Sequence, residues 1–142
     1  HRDLLPAMFL MPMGGLCGTL VVGRYDDIWM GIFVKQIADH LGDYVTVGRP
    51  LVRQLRNEHD LLADMLVELP AQRITNKLVK GLARARLHGT DYAACYLELV
   101  EQLEAALAVD GYSEDERRYL APVYAGMRAW VAIAQGCLTP AT

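Results

Sequence analysis

In residues 23–47, GRYDDIWMGIFVKQIADHLGDYVTV, the chain changes its hydrophobic period. Ile28, Trp29, Ile32, Phe33, Ile37 and Leu41 follow helical spacing, which predicts a helix over 26–41. Asp26 or Asp27 stands at its start, where a carboxylate suits both the free N–H groups and the helix dipole. Gly42 is a natural stop. Tyr44-Val45-Thr46-Val47 is β-branched and aromatic, is bounded by glycines, and reads as a strand. Gly48-Arg49-Pro50 turns it, and Leu51-Val52 extends the sheet.

On the C-terminal side the pattern becomes helical throughout. Asn57 is placed to cap a helix carrying Leu61, Leu62, Met65, Leu66 and Leu69. Pro70 starts a new segment with Ile74, Leu78, Leu82 and Ala85, closed by His88-Gly89. Thr90 caps the next helix, with Tyr92, Tyr96, Leu99, Leu103 and Leu107 on one face and Gly111 at its end. Ser113 with Glu116 forms a capping box for the last helix, striped by Leu120, Val123, Met127, Trp130 and Ala134. On the N-terminal side, residues 1–23 read as a short helix around Leu4, Leu5, Met8 and Phe9, followed by a glycine-rich loop. The change of character near Arg53–Glu58 divides the chain into regions 1–57 and 58–142.

The composition fits a packed core: 53% of the 142 residues are hydrophobic and 22% charged. A formal net charge of −3 argues against non-specific nucleic-acid binding as the main task. Cys17, Cys95 and Cys137 are odd in number and widely spaced, without ligand spacing. They read as small buried hydrophobes in a reducing, cytoplasmic compartment. The apolar stretch Leu4–Val22 is broken by Pro6, Pro12, Gly14, Gly15 and Gly18, which makes it a poor membrane span and a poor signal peptide. A start at His1 with an apolar first 22 residues is the expectation for a piece of a longer protein.

The densest polar cluster is Arg24-Tyr25-Asp26-Asp27 with Trp29. Two adjacent carboxylates at a helix start, after a glycine-rich loop, suit accepting a proton, holding sugar hydroxyls, or contributing to a divalent-ion site. Arg24 suits a phosphate or one of the aspartates. Trp29 offers a face for a sugar ring. The same residues also suit a structural assignment, with Asp26 as cap, Asp27 paired to Arg24, and Trp29 in the core. Arg49, Arg53 and Arg56 form a basic group that fits either a diphosphate or a solvated rim. Lys77, Lys80, Arg84 and Arg86 read as a solvated helix face, and His40 as a surface or packing residue at a helix end.

Gly23-Arg24-Tyr25-Asp26-Asp27-Ile28-Trp29-Met30-Gly31, followed by Asp39-His40-Leu41-Gly42, resembles the signature segments of the reversibly glycosylated polypeptides, the UDP-arabinopyranose mutase family. Asp3-Leu4-Leu5-Pro6-Ala7-Met8-Phe9, Val45-Thr46-Val47-Gly48-Arg49-Pro50, Cys95-Tyr96-Leu97-Glu98-Leu99 and the Ala125, Met127, Trp130 pattern resemble further family segments, in order along nearly the whole chain. A more distant likeness is to STELLO-type glycosyltransferase-like proteins, which share the Asp-Ile-Trp-x-Gly pattern.

The resemblance implies an α/β fragment. Residues 1–57 would be the C-terminal part of a glycosyltransferase A-type nucleotide-sugar domain, and 58–142 an α-helical tail. It implies a UDP-sugar substrate, mutase or self-glycosylating transferase activity within a longer chain, a divalent cation (Mn²⁺ or Mg²⁺), and assembly into homo- or hetero-oligomers. It assigns Asp26 and Asp27 to catalysis and Arg24, Trp29 and Arg53 to substrate binding. The family's aspartate-rich metal motif and its glycosylated arginine lie upstream of these segments. Where the family has a Trp-His pair, this chain has Arg53-Gln54, and Arg53 would take the diphosphate. The alternatives are a non-catalytic helical interaction module and an inactive homologue.

Overall fold

The helix Tyr92–Ala106 holds the middle of the molecule. Eight of its fifteen residues are buried, among them Tyr96, Leu99, Val100 and Leu103. That is more than one stripe, so the helix is packed on several sides. In this computed structural model, which describes residues 2–15, 20–53, 55 and 60–138, its neighbours are a short 3₁₀ helix (Arg2–Ala7), α1 (Asp26–Leu41), α2 (Leu61–Arg84) and α4 (Glu114–Leu138), with Tyr92–Ala106 itself as α3. The core they share is rich in aromatic side chains: Trp29, Phe33, Tyr96, Tyr119 and Tyr124 are all essentially inaccessible to solvent. Such rings supply large buried areas per side chain.

The helix over 26–41 forms as its periodicity predicts. Trp29, Phe33, Ile37 and Ala38 are its buried residues. Gly42 closes it with a φ of 76°, a conformation glycine adopts without the Cβ penalty, and its N–H donates to the Ala38 carbonyl. The capping box of α4 is also present: Ser113 Oγ accepts the Glu116 N–H at 3.2 Å, and Glu116 Oε2 accepts the Ser113 N–H at 2.6 Å.

Several expectations are overturned. Tyr44–Val47 is not a strand. No named strand occurs among the described residues, and the one pairing between extended segments is an isolated antiparallel bridge between Gly14 and Val22. Strand formers need a ladder to pair with, and residues 43–53 meet none; all of them are exposed. The described part of the chain is therefore mostly helical.

Pro70 does not begin a new element but lies inside α2. It forfeits one bond to the Leu66 carbonyl, on a face open to water, while Ala71, Ile74, Leu78 and Leu82 beyond it are held by the core. The same helix ends at Arg84, before His88-Gly89. Asn57 falls outside the described residues; the cap of α2 is Asp60, whose Oδ1 accepts from Leu62 and Ala63, each at 3.1 Å. Asp91, not Thr90, caps α3 through the Ala94 N–H at 2.8 Å. Helix α3 stops at Ala106, ahead of Gly111. Cys95 is buried as expected but Cys137 is exposed, and Cys17 lies outside the described residues.

Candidate functional site at the start of α1

The signature segment sits where the loop from the Gly14–Val22 bridge enters α1. Its backbone passes close to α2: a Cβ on Gly23 would overlap the Val67 side chain, so only glycine fits there without displacement. Arg24 follows in a left-handed conformation, φ 63°, uncommon for a residue with a Cβ. That turn sends its guanidinium to α2, where it pairs with Asp64 and, at 3.2 Å, with Glu68. Asp64, Val67 and Glu68 lie at three- and four-residue spacing, on one face of α2. The pairing of Arg24 with Asp27 that the sequence left open is therefore not the one observed.

Trp29 is 1% exposed, and its Nε1–H donates to Thr75 Oγ1 at 2.7 Å. Tyr25 packs against it edge-on, with ring centroids 6.1 Å apart. Trp29 consequently has no ring face open to a sugar in this arrangement; it pins the first turn of α1 to α2 instead.

The two carboxylates differ. Asp27 is exposed and its Oδ1 accepts the Ile28 N–H at 2.8 Å, which leaves acceptor capacity on the group. Asp26 is half-buried and does not cap the helix; the cap position is Tyr25, with no side-chain cap hydrogen bond. Asp26 lies within electrostatic reach of Tyr119 on α4. Burial first, and the Asp26 charge second, push the Tyr119 phenol up to about 12. The Tyr119 hydroxyl donates to the Pro12 carbonyl at 2.8 Å. A neutral phenol beside Asp26 was not among the sequence candidates, because nothing in residues 113–134 marks Tyr119 apart from an apolar stripe.

Arg53 is exposed, twelve residues past the far end of α1, and no interaction joins it to Asp26, Asp27 or Arg24 among the described residues. Its fellow Arg56 lies outside the described residues. The basic residues of α2 are less free than their pattern suggested. Lys77 pairs with Glu116 at 2.5 Å and lies 5.1 Å from the centroid of the Tyr112 ring, and Arg84 pairs with Asp110. His40 donates from Nε2 to the Gly89 carbonyl at 3.0 Å, a packing role. Among the described residues no group of three or more His, Cys, Asp or Glu side chains is placed to hold a metal ion. Among the described residues, Asp26 and Asp27 form a pair without the further oxygen ligands that Mn²⁺ or Mg²⁺ takes.

The sequence model for reversibly glycosylated polypeptides matches residues 1–136. The chain belongs to the reversibly glycosylated polypeptide family. This family member is 30% identical over 116 residues to the probable UDP-arabinopyranose mutase 1 of Pisum sativum, covering 79% of this chain and 31% of that protein. It is 31% identical over 115 residues to the probable UDP-arabinopyranose mutase 2 of Solanum tuberosum, covering 78% and 30%. A shorter match, 44% identical over 52 residues, links it to UDP-arabinopyranose mutase 1 of Arabidopsis thaliana, covering 36% and 14%. This reversibly glycosylated polypeptide chain thus spans about a third of the length of the curated relatives it matches. No helix among its described residues is long and apolar enough to cross a membrane.

Proposed function

We propose that this chain is the C-terminal portion of a UDP-sugar enzyme of the UDP-arabinopyranose mutase type, in which Asp26 and Asp27 face the sugar. The observation that carries this reading is the build of the α1 start. Two carboxylates, one half-buried and one open, are set on a turn fixed to α2 by Gly23, Arg24 and Trp29. Negative charge held in place costs little reorganisation when positive charge develops at an anomeric carbon. Asp27, open to solvent, orients sugar hydroxyls and is the group placed to take a proton from an attacking hydroxyl. Asp26, beside the neutral Tyr119, has less water around it and acts more strongly as a fixed charge.

In this reading Trp29 and Arg24 are positioning residues for the pair, and Arg53 meets the diphosphate when residues 43–53 are covered. The nucleotide-binding α/β part, a glycosyltransferase A-type domain to which residues 1–57 belong, lies in the rest of the polypeptide. So do the ligands for a divalent cation. The setting is cytoplasmic. In the intact native polypeptide, Asp27→Asn is expected to lower turnover of UDP-arabinopyranose at least about 100-fold, in keeping with the loss of a general base. Its melting temperature should stay within a degree or two. Unchanged turnover would remove Asp27 from the chemistry.

The rival reading is a non-catalytic module in which residues 58–142 bind another copy or a partner protein. It is favoured by one observation, the apolar face left open on α2. Light scattering on the purified chain tests it, and a strict monomer counts against it.

A further inference from the structure

The first ten residues of α2 have two working faces, and only one is occupied. Asp64, Val67 and Glu68 meet the signature loop. Leu61, Leu62, Met65, Leu66 and Leu69 fall at i, i+1, i+4, i+5 and i+8, a single stripe turned away from it. Leu61 is 78% exposed, Leu62 69% and Leu66 67%. Earlier in the sequence, residues 44–47 are strand formers with no ladder among the described residues, and Tyr44 is 92% and Val47 99% exposed. Single exposed leucines are ordinary, but a continuous stripe on a helix, in a chain that also carries an unpaired and exposed strand sequence, marks a covered surface.

The relatives matched here carry more than two thirds of their length outside the matched stretch. We propose that the α2 stripe and residues 44–47 form the seat of that remaining portion within the same polypeptide. Residues 44–47 add as an edge strand to its sheet, and the stripe packs across the face of the sheet beside it. Strand addition would satisfy the backbone groups of 44–47, and a helix stripe on a sheet face is a standard layer contact. A second copy of this chain fits less well, because it offers no sheet among its described residues, and two lone strands pair only marginally in water. Since Arg24 reaches the flanking face of the same α2 turns, the seat also sets where Asp26 and Asp27 stand. The inference rests on the proposed function for the identity of the occupant, but its tests read structure and not turnover.

Intact-mass measurement of the native polypeptide comes first, followed by amide hydrogen exchange on that polypeptide and on the 142-residue chain. The expected result is a mass well above 15.8 kDa. Amides of Val45–Val47 should exchange about 100-fold or more slowly in the native polypeptide than in the 142-residue chain. Leu66→Asp should lower the melting temperature of the native polypeptide and leave that of the 142-residue chain unchanged. A native mass of 15.8 kDa overturns the proposal. So does a longer polypeptide in which 45–47 exchange freely, a measurement that needs no variant to fold. A dimer of the 142-residue chain that Leu66→Asp splits also overturns it, in favour of a second copy. Protected 45–47 amides in a polypeptide without turnover would sink the enzymatic reading and leave this one standing.

Discussion

Two tyrosine hydroxyls in the core, on Tyr96 and Tyr124, are buried without a hydrogen-bond partner among the described residues. An unmade bond of this kind costs about 1–3 kcal/mol, whereas an apolar group of the same shape in its place is near neutral or stabilising. Tyr96→Phe is therefore expected to hold or raise stability, by up to about 1–2 kcal/mol in urea unfolding. A loss of more than about 1 kcal/mol would show that the hydroxyl has a partner after all. The same scale separates what was legible at the candidate site. Aspartates at a helix start are visible in any sequence, and so was the chance that Trp29 is core. The partners of Arg24 were not, because Asp64 and Glu68 lie forty and more residues away on a helix whose rotation depends on the whole core.

At the scale of elements, α4 and α3 show what side chains do beyond their own helices. Glu116 serves its capping box and also receives Lys77 from α2. Burial alone would raise its carboxyl, but the Lys77 ammonium and the Ser113 N–H outweigh it and hold the group below its ordinary value. A carboxyl depressed in the folded state contributes stability above its unfolded value, near 4.5, and loses it as pH falls through the lower folded value. Glu116→Gln should cost about 1.5–3 kcal/mol at neutral pH, the range for bonds to a charged group. The difference should shrink in acid unfolding curves taken below about pH 4; a pH-independent difference would speak against the ion pair.

On α3, Cys95, Glu98 and Gln102 recur at helical spacing and fasten the preceding loop. Glu98 accepts the His88 and Gly89 N–H groups at 2.7 and 3.2 Å, and Gln102 both accepts from and donates to the Arg86 backbone at 2.8 Å. The Cys95 thiol donates to the Gly89 carbonyl at 3.3 Å. The role of these three residues exists only because α2 delivers that loop to them.

Across the whole molecule, the helices are joined through aromatic residues whose hydroxyls are held neutral. Tyr92, raised to about 12 by burial and by its bond to Asp43, ties the end of α1 to the start of α3 at 2.6 Å. Burial lifts Tyr119 to about 12, and Tyr96, Tyr112 and Tyr124 higher still. In the unfolded chain these phenols ionise near 10. Between about pH 10 and 12 the unfolded state therefore releases protons that the native state keeps, and stability falls as pH rises. Thermal melts from about pH 9 to 11 should show a steep drop in melting temperature, with phenolate absorbance appearing together with unfolding. Phenolate absorbance from all seven tyrosines near pH 10 in a still-folded chain would contradict the packing.

By itself the sequence determined α1 and its glycine stop, the capping box of α4, the apolar stripes of the helices and the family to which the chain belongs. Each rests on residues close in the chain, where spacing and backbone geometry act directly. The tertiary structure alone decided that α2 runs through Pro70, because the core holds the helix beyond it and Arg24 and the Gly23 loop meet the turns before it. It also decided that Arg24 turns to α2 and that Trp29 is closed to ligands. Residues 44–47 have strand chemistry but no strand in this chain, because a ladder is made between segments and the described residues supply no partner.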